Sequence, residues 1–426
     1  MATFLVRGFE LAVAGSGPFT DISGNTHQAD IDALAASGVT KGCNPPDNTL
    51  YCPDDPVTRA QMASFLIRAI DLTNGGTTTT TTSPTTTTTS PTTTTTSPTT
   101  TTTSPTTTTT SPTIPSDPWS IAPTDMPTGL LDSGHAVLGN FLYLAGGKTS
   151  PTDRVTTFQR YDMANNTWDT LEEIPGMPRE DPVLVAHDGL IYIFGGATTT
   201  FNSGDTVTAA VYDPSTDDWN DLDITDLPAG RTAAAAVSWK GEIWIIGGFD
   251  VDSNTLNAVL IYEPADEGVV DPYSSGPPLP SARDNASVAI QDDATNTRLY
   301  VMGGRAGATT HSTVWMLDIT DDGWSPRSAM PTARRSFVAA TVDGMIQVFG
   351  GENEAGVVAT VDEYDPVANT WTTLTGHDWP NPRHGPSGGQ ALVGSDETVF
   401  LVGGDTQPGA NNVTSANDSF IRAHAP

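Results

Sequence analysis

Along residues 119–426 short apolar runs recur, and each closes on a pair of glycines. The runs are Phe141-Leu142-Tyr143-Leu144, Leu190-Ile191-Tyr192-Ile193-Phe194, Ile243-Trp244-Ile245-Ile246, Leu299-Tyr300-Val301-Met302, Met345-Ile346-Gln347-Val348-Phe349 and Val399-Phe400-Leu401-Val402. Gly-Gly follows at 146/147, 195/196, 247/248, 303/304, 350/351 and 403/404, at intervals of 49, 52, 56, 47 and 53 residues. Polar and apolar positions do not alternate within the runs, which predicts strands buried on both faces, as in sheets that stack on one another. An aromatic stands three residues before the first glycine in five copies, at Tyr143, Tyr192, Trp244, Tyr300 and Phe400, and Gln347 takes that place in the remaining one.

A second marker lies downstream of each run. Tyr161 and Trp168, Tyr212 and Trp219, and Tyr364 and Trp371 are each seven residues apart, with Leu317 and Trp324 at the same spacing. Turn formers such as Asp213-Pro214-Ser215-Thr216-Asp217-Asp218 lie between them, so the two aromatics flank a predicted hairpin. Pro127, Pro228, Pro280, Pro331 and Pro380 then announce the next unit. Strand, Gly-Gly, spaced Tyr and Trp, and proline turn together resemble the kelch repeat, and a period near 50 residues is one that marks propeller blades. The resemblance implies an all-β six-bladed propeller over 117–426. The sixth unit reaches Pro426 without its Tyr-to-Trp hairpin, whereas Trp119-Ser120-Ile121-Ala122-Pro123-Thr124-Asp125-Met126-Pro127 looks like a final strand placed before the first blade. Residues near 119–126 are therefore expected to close the ring beside Gly403 and Gly404. The third unit departs from the pattern: Tyr262 has no Trp seven residues on, and a longer loop runs through Asp271-Pro272-Tyr273.

Ahead of this region the period changes. Apolar residues at 62, 65, 66, 69 and 70 follow the spacing of one helix face, with Thr58 at the N-cap position. Met1-Ala2-Thr3-Phe4-Leu5-Val6-Arg7 matches Met62-Ala63-Ser64-Phe65-Leu66-Ile67-Arg68 at a spacing of 61, so the chain is expected to begin inside a repeat. A full copy runs through Pro18-Phe19-Thr20-Asp21-Ile22, Ile31-Asp32-Ala33-Leu34, Gly38-Val39-Thr40-Lys41-Gly42 and Thr58-Arg59-Ala60-Gln61. These motifs, in this order, resemble the S-layer homology repeat, which implies a small α-helical region that holds cell-wall polysaccharide. Residues 1–17 would be the tail of a truncated repeat and 18–74 a complete one. That family's Thr-Arg-Ala-Glu motif supplies an arginine to the anionic polymer. Here it stands as Thr58-Arg59-Ala60-Gln61, and Gln61 departs from it. A guanidinium fork suits a carboxylate; the alternative is that Thr58 caps the helix and Arg59 pairs with a nearby acid. Cys43 and Cys52, the two cysteines of the chain, are spaced C-x8-C with no second pair for a metal site, a spacing that reads as a disulfide pinning an extracellular loop.

Between the two regions, residues 77–113 are Thr, Ser and Pro alone, with Ser-Pro recurring every seven residues. With nothing apolar to bury, the 75–116 stretch is expected to be a disordered, extended linker, and its composition resembles O-glycosylated stalks. The chain holds 50 Asp and Glu against 18 Lys and Arg, a net charge of −32, which opposes contact with nucleic acid or anionic lipid and leaves cationic or neutral partners open. No apolar run approaches the roughly 20 residues of a transmembrane helix, and the N-terminus lacks the order of a signal peptide.

Candidate chemistry is sparse. Arg231, Arg283, Arg334 and Arg383 each follow a blade-ending proline by three residues, Arg179 occupies the equivalent place, and Leu130 stands there in the first blade. One expectation is a ring of guanidiniums lining the central channel as a funnel for an anionic ligand such as an acidic sugar. The alternative is that each pairs with a carboxylate or carbonyl of a neighbouring blade. Gly385-Pro386-Ser387-Gly388-Gly389 fits G-x-S-x-G but lacks the strand-turn-helix setting of a nucleophile elbow. The seven histidines form no metal-ligand spacing, the Asp-rich turns form no calcium loop, and no cofactor motif is present. Galactose oxidase, a kelch-like enzyme, needs copper and a Tyr–Cys crosslink, and no cysteine follows Cys52. The leading expectation is a secreted, wall-anchored bacterial surface protein whose propeller binds a glycan or protein without catalysis. The rivals are a carbohydrate-active enzyme resembling kelch-type sialic acid mutarotases and a structural S-layer component.

Overall fold

The computed structural model divides the chain into two units, Met1–Ser104 and Pro105–Pro426. It describes Ile31 and Ala35 of the first, both helical, and residues 118–120, 123–199, 206–220, 224–292, 297–318, 323–393, 396–408 and 411–422 of the second. Cys43, Cys52, Thr58, Arg59, Gln61 and the 75–116 linker lie outside the described residues, as does the rest of the expected helical region. No helix among the described residues is long and apolar enough to cross a membrane.

Six four-stranded antiparallel sheets make the blades of a propeller, with two further two-stranded hairpins at Arg305–Ala306/Thr309–Thr310 and Glu352–Asn353/Gly356–Val357. Blade 1 runs from Gly134–Leu138 to Thr167–Thr170, blade 2 from Val183–His187 to Asp218–Asn220, and blade 3 from Ala235–Trp239 to Tyr273–Ser275. Blade 4 runs from Ser287–Asp292 to Ser325–Arg327 and blade 5 from Val338–Val342 to Thr370–Thr373. Blade 6 takes Ser387–Val393, Asp396–Val402 and Asn417–Arg422 from one end of this unit and Trp119–Ser120 from the other. Trp119 lies opposite Phe420 and Ser120 opposite Ser419, so an early segment supplies the outermost strand of the last sheet.

The apolar runs lack alternation because each second strand is buried between two neighbours. Leu142 and Leu144 pack toward Phe400 and Val402 of blade 6. Tyr143 and Ala145 of the same strand pack toward Ile191, Ile193 and Tyr212 of blade 2. Every such side chain that is fully buried contributes about 1.5–3 kcal/mol. Gln347, at the aromatic position of blade 5, is fully buried and donates through Nε2 to Glu363 Oε2 on the adjacent strand at 2.8 Å, which meets part of the cost of burying an amide there.

Polar tips tie the outer strands together across the seams. The Trp168, Trp219, Trp324 and Trp371 indoles donate to the carbonyls of Thr124, Glu172, Pro277 and Ser328 in the preceding blade's exit segment, at 2.8–3.1 Å. Blade 3 has no tryptophan there, and the Tyr273 hydroxyl makes the same bond to Thr225 O at 2.8 Å. In blade 6 the role passes to Trp119, whose Nε1 donates to His377 O at 2.9 Å while its ring stacks on Trp379 with centroids 5.9 Å apart. Within a blade, the Tyr161, Tyr212, Tyr262 and Tyr364 hydroxyls each donate to an acceptor five residues on, which fixes the outer turn.

Trp119 therefore holds the ring shut through packing and one hydrogen bond in addition to a two-residue strand. Trp119→Ala is expected to cost about 3 kcal/mol, measured as a fall in the denaturant midpoint; a loss under about 1 kcal/mol would show that the ring does not need this indole to stay closed.

Candidate functional site

Each Gly-Gly pair meets the residue that leads into the next blade. The second glycine N–H donates to that residue's carbonyl: Gly147 to Arg179, Gly196 to Arg231, Gly248 to Arg283, Gly304 to Arg334, Gly351 to Arg383 and Gly404 to Leu130, all at 2.7–3.0 Å. A Cβ on the first glycine would come within 2.1–2.6 Å of the same carbonyl oxygen, and these glycines have φ between 61° and 65°, so a side chain is excluded on both counts.

The arginine side chains turn into the blades that they introduce. Arg179 donates through Nη1 to Gly195 O (3.2 Å) and Thr208 Oγ1 (2.6 Å), and through Nη2 to Pro175 O. Arg231 reaches Ile245 O and Ala258 O, and Arg283 reaches Thr313 Oγ1 and lies over the Trp315 ring. Arg334 pairs with Asp362 at 2.5 Å, and Arg383 pairs with Asp418 at 3.0 Å beneath Trp379. All five are 0–8% exposed, and none lines the cavities of the central channel. The expected channel-facing funnel is thus not what the geometry places there: the guanidiniums satisfy carbonyls, hydroxyls and two carboxylates inside the blade seams. Burial lowers their pKa, against the pull of Asp362 and Asp418, yet Arg179, Arg283 and Arg334 at about 10 remain cations at neutral pH.

The residues that do face the channel stand two positions further on. Asp132, Asp181, Ala233, Asn285, Ser336 and Gly385 all have φ between 50° and 58°. Their backbones form a closed belt, in which Asp181 N donates to Asp132 O, Ala233 to Asp181, Asn285 to Ala233, Ser336 to Asn285, Gly385 to Ser336 and Asp132 to Gly385, at 2.8–3.4 Å. The residue after each Gly-Gly pair bridges to the residue just before a belt position, Lys148 to Leu131, Ala197 to Glu180, Phe249 to Thr232, Arg305 to Asp284, Glu352 to Arg335 and Asp405 to His384, which sets these segments beside the belt. Around it charges are already matched: Lys148 with Asp132 (2.8 Å) and Glu180 (2.7 Å), Arg154 with Glu180, Arg305 with Asp284 (3.2 Å) and Arg335 with Glu352 (2.8 Å). Asp132, Asp181 and Glu180 hold the Lys148 proton more tightly than usual although burial opposes them. Burial first, then the neighbouring Asp132 and Glu180, raise Asp181 well above the usual carboxylate range.

Behind the belt a cavity of about 220 Å³ is lined from all six blades and leads into a shaft of about 400 Å³. The shaft wall is mostly small and apolar, with Ala136, Leu184, Ala236, Val288 and Ala340 among its residues. His135 lines both, and its enclosure lowers its pKa to about 4. Ser387, the serine of the G-x-S-x-G match, opens the inner strand of blade 6 and bonds Ser133 Oγ at 2.9 Å.

Residues 99–269 and 266–420 match the family model described as the KLHDC2/KLHL20/DRC7 Kelch-repeats domain. The chain is 32% identical over 291 residues to Kelch-like protein terF of Aspergillus terreus, covering 63% of this chain and 58% of that protein. It is 27% identical over 260 residues to Spermatocyte protein spe-26 of Caenorhabditis elegans, covering 59% and 42%. The chain thus spans about half the length of these curated relatives. The solved structure of YjhT superposes with a TM-score of 0.57 at 16% identity, over 69% of this chain and 95% of that one, a likeness of fold.

Two outcomes test this geometry. Arg334→Met is expected to cost about 3–5 kcal/mol because it strands the buried Asp362 carboxylate. Adding Asp362→Leu should return part of that loss in equilibrium denaturation, and an Arg334→Met variant as stable as the parent would contradict the seam role. His135 titrates at about 4 when folded and near 6.5 when unfolded, so between those values the unfolded chain binds a proton that the native state does not. Stability should therefore fall as pH drops from 6.5 toward 4, more steeply in the parent than in His135→Gln; parallel urea midpoints for the two would refute it.

Proposed function

The chain belongs to the kelch-repeat family, whose propellers are protein-binding scaffolds, and from that premise we propose that it is a secreted, wall-held bacterial surface protein that presents this propeller to a protein or glycan ligand. The observation that carries the reading is the face around the belt. The segments after six Gly-Gly pairs bridge there to the residues beside a hydrogen-bonded ring, and Lys148, Arg154, Arg305 and Arg335 are already fixed against carboxylates. Charges held in place before contact suit a partner of mixed charge, because little side-chain freedom is lost on docking.

Anchoring is argued from residues 1–74 and their resemblance to S-layer homology repeats. In this reading Thr58, Arg59 and Gln61 hold the wall polymer, a Cys43–Cys52 disulfide pins the adjoining loop, and the 75–116 linker spaces the propeller from the wall. The mutarotase-like alternative needs guanidiniums in the channel, and Arg179, Arg231, Arg283, Arg334 and Arg383 lie in the seams, so no observation favours it. A purely structural S-layer role would appear as lattice self-assembly.

The full chain should co-sediment with isolated cell walls, and Arg59→Ala should reduce that about tenfold, the loss of a charge-assisted contact. A ligand captured from the cell surface or on a glycan array should be lost with Arg335→Glu on the belt face and kept with Lys240→Glu at the opposite end of blade 3. Equal loss in both, or wall retention unchanged by Arg59→Ala, would count against the proposal.

A further inference from the structure

We propose that the central channel binds a small aliphatic primary amine as its ammonium, with the head beside Asp181 and the chain along the apolar shaft. This goes beyond the docking reading, since it concerns a small ligand and needs neither partner nor wall. The local charge count leaves a gap of one cation: Lys148 spans Asp132 and Glu180, Arg154 takes the second oxygen of Glu180, and Asp181 beside them is left over. Among the described residues, the Asp181 carboxylate has no hydrogen bond and no ion pair within 4 Å, although it lines the mouth cavity. Burial and three like charges, Asp132, Glu180 and Asp284, disfavour its ionised form against the pull of Lys148 alone, and a bound cation reverses that balance.

The rest of the cavity selects the kind of cation. No three His, Cys, Asp or Glu among the described residues are grouped to hold a metal ion. The wall below the head position is Leu184, Ala236 and Val288, shared between mouth and shaft, so a chain of methylenes entering behind the head exchanges water for apolar surface. His135, neutral at pH 7, adds an acceptor without adding a competing charge. The acidic surface, with a net charge of −32, concentrates cations at the mouth.

The test titrates the full chain with n-butylammonium chloride by calorimetry at pH 7, beside methylammonium, 1-butanol and sodium butyrate. Saturable binding of butylammonium is expected, with affinity rising roughly two- to fourfold per methylene and falling about tenfold or more in Asp181→Asn. Ala236→Leu, which narrows the shaft and leaves the carboxylate in place, should erase the gain with chain length and keep the preference for ammonium over alcohol. Undiminished binding by a folded Asp181→Asn, butanol binding as tightly as butylammonium, or no saturable binding of butylammonium would each overturn the proposal.

Discussion

One hydrogen bond, made six times, sets the geometry of the molecule: the second glycine of each blade donates to the carbonyl of the residue that opens the next. Its demands explain the pattern around it. The first glycine must lack a side chain because the same carbonyl occupies the space of its Cβ. The residue offering the carbonyl is held at both ends, by its backbone to the blade behind and, for the five arginines, by its guanidinium to the blade ahead. In the first blade Leu130 supplies the carbonyl and fills its seam with an apolar side chain instead. Two residues later the chain must turn sharply, which places the left-handed belt around the channel and frees those side chains to line it.

The blades were legible because burial on two faces leaves a mark that ordinary half-exposed strands do not, an uninterrupted apolar run closed by a forced Gly-Gly. The Tyr and Trp spacing was legible because the turn between them has a fixed length. Tyr273 escaped that reading: a phenol hydroxyl reaches the same neighbouring carbonyl as an indole N–H, but from a longer loop, so function was kept while spacing was not. Gln347 likewise breaks a residue pattern and keeps its place through a partner, Glu363, on another strand.

The candidate site was less legible. The spacing of the arginines was plain, but the direction of a side chain depends on the turn after it, and that turn sends the guanidiniums into the seams. Asp132, Asp181, Asn285 and Ser336 are short and polar, but Ala233 and Gly385 hold the same place without a polar side chain, so the six positions form no residue motif. What all six share is small size at the second position after the seam residue, the signal through which the belt could have been found. The readings on Cys43, Cys52, Thr58, Arg59 and Gln61 concern residues outside those described.

The outermost strand of blade 6 has a consequence of another kind. Among the described residues Trp119 and Ser120 are the first strand residues after the Thr-rich segment, and their links to the ring include a two-residue ladder, the Ile421 N–H donated to Pro118 O and the Trp119 indole. Any pull exerted through that segment enters the propeller at this point. The ladder runs antiparallel to Asn417–Arg422, and the Trp119 ring, stacked on Trp379 and edge-on to Phe349 and Phe420, sits where the load arrives. The closing strand is thus also the mechanical fuse of the ring: the force that it bears before yielding limits the tension that the propeller survives intact.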